Sequence, residues 1–137
     1  MVRQAMNHSG YGLPVAGFSH AVLAPVGGRL LTVSGLTARD EVGNIVGIDD
    51  PEAQVRQIMK QMKAILENAG ASLDDVMQMR TFTTSISYWS AVETVWRDIW
   101  GPTWPTSTFV EISRLFDPRQ LIEIEALVVI DPNIERK

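Results

Sequence analysis

Glu123 and Glu125, two residues apart in the apolar run Leu121 to Ile130, are the side chains best placed to do chemistry in this chain. In an extended strand they share a face with Leu121, Leu127 and Val129, while Ile122, Ile124, Ala126, Val128 and Ile130 line the other. The second face must cover a core. The first is too apolar for solvent and too charged for an ordinary interior. That pattern suits a surface on which a second subunit packs around a polar site. A carboxylate there either pairs with an arginine or, with its proton affinity raised by apolar surroundings, orients and activates water. Chemistry alone leaves both readings open, the ion pair being the plainer one. Arg114 and Arg119 flank the turn before the strand and are the expected local partners.

Other reactive residue types are sparse. Cysteine is absent, which removes disulfides, thiol catalysis and thiolate metal sites together. His8 and His20 are isolated, and His20, on the first expected strand, reads as structural. Ser34 precedes Gly35 without the strand–turn–helix elbow that activates a serine nucleophile. No glycine-rich phosphate loop and no histidine pair of metal-binding spacing is present, so neither metal nor cofactor is expected. A net charge of −4 argues against nucleic acid and anionic membrane as partners. Met1 to Tyr11 is polar, unlike a signal peptide, and no apolar run has membrane-spanning length, so a cytoplasmic location is expected. With 137 residues the chain reads as one domain, 1–137, whose first 15 residues form a flexible or extended segment. Its 45% hydrophobic content is high for a monomer and suggests self-association.

The elements that must position the carboxylates follow from periodicity and punctuation. Phe18 to Leu23 and Arg29 to Val33 read as two strands of a hairpin joined by Pro25-Val26-Gly27-Gly28, and Ile45-Val46 as a short strand. Asp50 is the expected N-cap of a helix with Pro51 at its first position. Val55, Ile58, Met59, Met62, Ile65, Leu66 and Ala69 form its apolar stripe, and Gly70 its stop. Met59 and Met62 on that stripe are core filler. Val76 to Thr84 reads as a strand, and Ser87 to Trp100 as a second helix packing Trp89, Trp96 and Trp100 against the sheet. Strands from Ser107 to Ile112 and Leu121 to Ile130 complete an α+β order with one mixed sheet. Right-handed crossovers put both helices on one face, leaving the other to be covered.

Several motifs in this order resemble the RidA/YjgF family, also labelled L-PSP endoribonuclease or reactive-intermediate deaminase. Gly17-Phe18-Ser19-His20-Ala21 resembles its G-P-Y-S-Q-A segment, and Leu31 to Gly35 its strand ending in S-G-Q. Gln54 to Gly70 is similar to its first helix, and Asp75-Val76 with Thr81-Phe82 to the strand that follows. Pro105 to Leu115 is similar to P-A-R-x-x-V-E-V-x-R-L, and Ile122 to Ala126 to I-E-I-E-A. The resemblance spans about Ala16 to Ile130. It implies a chorismate-mutase-like α+β fold assembled as a homotrimer with a central barrel, helices outside, and small-molecule sites in the clefts between subunits. In active members the arginine of P-A-R clamps an imino or enamino acid while water hydrolyses the C=N bond to ammonia and a 2-oxo acid, a task suited to a bidentate guanidinium.

The sequence departs from that pattern where the ligand would bind. Ser107 stands in place of the clamping arginine, Phe18 in place of tyrosine, Leu36 in place of glutamine, and Phe109 where small residues or cysteine are common. Glu125 is retained and is the expected catalytic residue, with Gly35 as the point of close backbone approach. Phe18, Gly35, Leu36, Ser107 and Phe109 are the expected ligand-binding set. Losing the charged fork costs about 2–5 kcal/mol of carboxylate binding unless another cation replaces it, and Arg80 or Arg114 are the candidates. The expected function is therefore a divergent hydrolase of the deaminase type with a less carboxylate-dependent, more apolar ligand. A conventional imine deaminase and a non-enzymatic ligand-binding trimer are the alternatives. The acidic balance and the lack of a histidine pair give no support to ribonuclease activity.

Overall fold

The alternating aliphatic run at the C-terminal end becomes the centre of the sheet. In the computed structural model, which describes residues 3–11 and 17–133, the elements run β1 (Gln4–Ala5), β2 (Val22–Leu23), β3 (Arg29–Leu36), α1 (Pro51–Asn68), β4 (Val76–Thr83), α2 (Trp89–Ile99), β5 (Thr106–Glu111) and β6 (Ile122–Ile130). The main sheet has the order β3-β6-β4-β5. β6 is antiparallel to both β3 and β4, and β5 is parallel to β4 at the edge. A parallel neighbour needs a long crossover, which α2 supplies between β4 and β5, as α1 does between β3 and β4.

Burial alternates along β6 without a break: Ile122, Ile124 and Val128 are fully buried, and the residues between them are half-buried. The buried side meets Val55, Ile58, Met62 and Leu66 of α1 and Val92, Val95 and Trp96 of α2 in one cluster. Burying each such side chain contributes roughly 1.5–3 kcal/mol. Both helices therefore cover one face, and among the described residues no helix covers the other. Asp50 caps α1 by accepting a 3.0 Å hydrogen bond from the Ala53 N–H. Gly70, at φ 74°, lets the Gly70 and Ala71 N–H groups turn back to the carbonyls of Glu67 and Leu66.

Three expectations about the scaffold are corrected. The hairpin between 18–23 and 29–33 does not form. Only Val22–Leu23 is a strand, and it pairs with Gln4–Ala5, while β3 pairs with β6. β6 is the longer apolar partner for β3, and Ser19 is engaged elsewhere, donating to the carbonyls of Pro105 and Trp104. Ile45-Val46 contributes a single bridge, Arg39 to Ile45, in place of a strand. Ile65, placed on the buried stripe from sequence, is 41% exposed because Leu66 takes the core position. In the N-terminal segment, whose residues 1, 2 and 12–16 lie outside those described, the guanidinium of Arg3 is buried. It donates to the carbonyls of Asp74, Val76 and Thr103 and docks the extended β1 against the body.

Two fully or almost fully buried amides fix the start of β6. Gln54 on α1 donates to the carbonyls of Gly47 (3.2 Å) and Arg119 (2.9 Å) and accepts from the Leu121 N–H (2.8 Å). Gln120 donates to the Thr37 hydroxyl at 2.8 Å. Removing the first amide leaves buried backbone groups unpaired, each at about 1–3 kcal/mol. Gln54→Ala is therefore expected to lower unfolding stability by about 3 kcal/mol, read as a lower urea midpoint by circular dichroism at fixed protomer concentration.

Candidate functional site

The register of three strands assembles a polar row on the uncovered sheet face. Thr108 of β5 pairs with Arg80 of β4, which pairs with Glu125 of β6. Side chains at paired positions share a face and lie close enough to interact. Arg80 Nε stands 2.9 Å from Glu125 Oε1, the arginine side chain 57% exposed and the glutamate 30%. A depression of about 100 Å3 lies over the pair, lined also by Thr32, Gln78 and Leu127. The partner of Glu125 is thus Arg80 rather than Arg114 or Arg119. Arg119 is held by its own turn, with Nη2 2.8 Å from Asp117 Oδ2.

Glu123 lies on the same face, in register with Phe82. Its side chain passes directly over Gly35: a Cβ at that position would stand 2.8 Å from Glu123 Cδ. The glycine is thus required by close approach, at an irregularity between Val33 and Leu36 in the pairing of β3 with β6. That irregularity turns Leu36 toward the helices, opposite Ile124, where it packs against the core.

The remaining expected site residues gather elsewhere. Ser107 is in register with Met79 and Phe109 with Thr81, both buried on the helix-covered side. The Phe109 ring lies 5.1 Å from that of Trp89. Gly17, at φ 77°, brings the neighbouring chain so close that a Cβ would stand 3.1 Å from the Trp89 ring. Phe18 follows, its ring 6.3 Å from His20. Within one chain the structure thus brings Gly35 and Glu125 to the uncovered face, and places Phe109 against Trp89, with Ser107 on the same side of β5 and Phe18 next to Gly17, which packs on the Trp89 ring. It does not bring Ser107 and Glu125 to one face. Trp89 packs against the core as its helical spacing implied, and its partner there, Phe109, is visible only in the fold.

The hydrogen bonds and charge of Arg119 hold the Asp117 carboxyl down to about 2. Among the described residues, no three histidine, aspartate or glutamate side chains converge as a metal set. A larger open hollow, about 530 Å3, lies between the 39–42 turn and α1, lined by Gln57, Lys60 and Gln61. It holds none of the expected site residues.

A mixed four-stranded sheet with both helices on one face is an α+β domain of RidA-like class. The family profile described as Endoribonuclease L-PSP matches residues 12–130, and the chain belongs to this family, the RidA/YjgF proteins. It is 35% identical over 116 residues to a RutC family protein of Pyrococcus horikoshii, covering 83% of this chain and 87% of that protein. The crystal structure of YyfB from Yersinia pestis, described as a protein of unknown function of the conserved Rid family, superposes with a TM-score of 0.85. That match has 32% identity and covers 95% of this chain and 100% of YyfB. A Mycobacterium tuberculosis member of the YjgF/YER057c/UK114 family gives a TM-score of 0.66 at 30% identity, covering 93% of this chain and 99% of that one. No helix among the described residues is long and apolar enough to cross a membrane.

The Asp117 pair sets a pH dependence with a definite sign. A carboxyl whose folded value lies below the unfolded one, roughly 3.9, stabilises the fold fully above that value. The contribution is lost as pH falls through about 2. The Asp117 carboxyl carbon, followed by NMR, should titrate near 2 in the native chain. In Arg119→Ala its midpoint should move up toward the ordinary aspartate range.

Proposed function

We propose that this chain forms a homotrimer whose intersubunit clefts hold a small organic ligand, and that Glu125 orients the water that hydrolyses a C=N bond there. The observation that carries the reading is the uncovered sheet face, with a half-buried carboxylate set among apolar residues. Leu30 is 66% exposed and Val110 40% on that face, while Leu127 and Val129 are half-buried. Such a surface favours burial by another copy. Subunit packing is also what would bring the Glu125 row of one protomer near the Ser107–Phe109–Trp89 edge of another. Water adds to the imine carbon and one of its protons passes through Glu125 to the nitrogen; the proton of the resulting hydroxyl follows by the same route as the C–N bond breaks, so ammonia leaves and a carbonyl product remains. The hydroxyl of Ser107 is neutral, and Phe18, Phe109 and Trp89 are bulky, so the ligand is larger and more apolar than 2-iminopropanoate. The cytoplasm is the proposed location.

Light scattering should give close to three times the 15.2 kDa chain mass; a monodisperse monomer at micromolar concentration would end the proposal of a shared cleft. With 2-iminopropanoate, generated by an amino-acid oxidase and followed by semicarbazide capture, the protein should give little acceleration. For a turned-over imine with an aromatic side chain, Glu125→Gln should abolish catalysis and leave the assembly mass unchanged. A fall in activity only in proportion to lost trimer would instead assign the carboxylate a structural role.

A further inference from the structure

The Arg80–Glu125 pair has the properties of a contact that opens. An ion pair this exposed contributes at most about 1 kcal/mol, so separating it is easy. The closest approach of Arg80 to the carboxylate is through Nε, and among the described residues its Nη groups make no hydrogen bond. A guanidinium with its Nη edge unoccupied presents two parallel donors, the geometry that accepts a carboxylate bidentately. The depression beside it offers the neutral polar groups of Thr32 and Gln78 and an apolar floor at Leu127. Thr108 stands next to Arg80 in the row. The position expected from sequence to hold an anion carries a neutral serine, which lies on the opposite face of β5.

We infer that Arg80 is the anion-binding residue of this protein. It takes the carboxylate of a small organic acid on its Nη edge, in the depression between β3, β6 and β4, with Thr32, Gln78 and Thr108 as neutral neighbours. The inference rests on the proposal of a small-molecule site around Glu125 and adds the charge of the ligand and the residue that reads it. The anion is held one residue along β5 from position 107 and on the other face.

The test uses 2-oxo-3-phenylpropanoate, an acid with an aromatic side chain of the kind proposed for the ligand, and its uncharged amide as probes of the intact protein. Calorimetry should show the acid binding at least about tenfold more tightly than the amide, with the advantage falling as salt rises. In Arg80→Gln the acid should fall to the level of the amide, Arg80→Lys should recover part of the difference, and Arg114→Ala should leave it intact. The Arg80 Nε–Hε signal of the wild type should shift with the acid and not with the amide, a readout that stands even if Arg80→Gln fails to assemble. Equal binding of acid and amide with an unmoved Arg80 signal would overturn the anion-binding role and leave the small-molecule site standing. Loss of the acid's advantage in Arg114→Ala with Arg80→Gln unaffected would do the same. A wild type that binds neither probe would overturn both.

Discussion

The amide of Gln54 is the constraint on which the placement of the site depends. It lies in a fully buried position on α1 and joins three backbone groups from two segments far apart in sequence, the turn at Gly47 and the chain at Arg119 and Leu121. Because side chains alternate along a strand, a one-residue slip at Leu121 would put Glu123 and Glu125 into the hydrophobic cluster and expose Ile122 and Ile124. The penalty of burying two carboxylates makes that slip prohibitive. The amide and the charges thus enforce one register from opposite sides.

What the sequence displayed was periodicity. The stripe on α1, its Asp50 and Gly70 termini and the alternation of β6 are local patterns, and each reappears in place. Pairing was less visible. Whether β3 sits beside the preceding segment or beside β6 depends on contacts about a hundred residues apart, which no local pattern encodes, and the shorter connection was the wrong choice. The same applies to the site. Glu125 stands out as a charge in an apolar run, but its partner Arg80 lies on a strand 45 positions earlier and is revealed only by the register of β4 with β6. Gly35 could be recognised from its motif, whereas its physical reason, the Glu123 side chain lying over it, required the fold. Gln54 is a further case: a polar residue bordering an apolar stripe looks like a solvated position until its three partners are in place.

Charge on the uncovered face is balanced only in part. Glu125 has its arginine, while Glu123 is neighboured by Phe82 and the bare backbone of Gly35. An ordinary monomer surface would dilute such an arrangement with lysines. Here Leu30, Leu127, Val129 and Val110 surround it, and low local polarity strengthens whatever electrostatic contacts form once water is displaced. A pair that is weak while exposed would therefore gain strength if that face were covered.

The division of β5 between two faces has a consequence for how this fold can vary. Thr108 looks toward the ion pair and Ser107 toward the aromatic edge, though they are adjacent in sequence. Substitutions at one leave the neighbours of the other untouched, so their energetic effects should nearly add. Ancestral chains could then gain or lose a charge at position 107 without first having to rebuild the row at Arg80. The two faces of one short strand can therefore vary separately, and drift on one is not punished by collapse of the other.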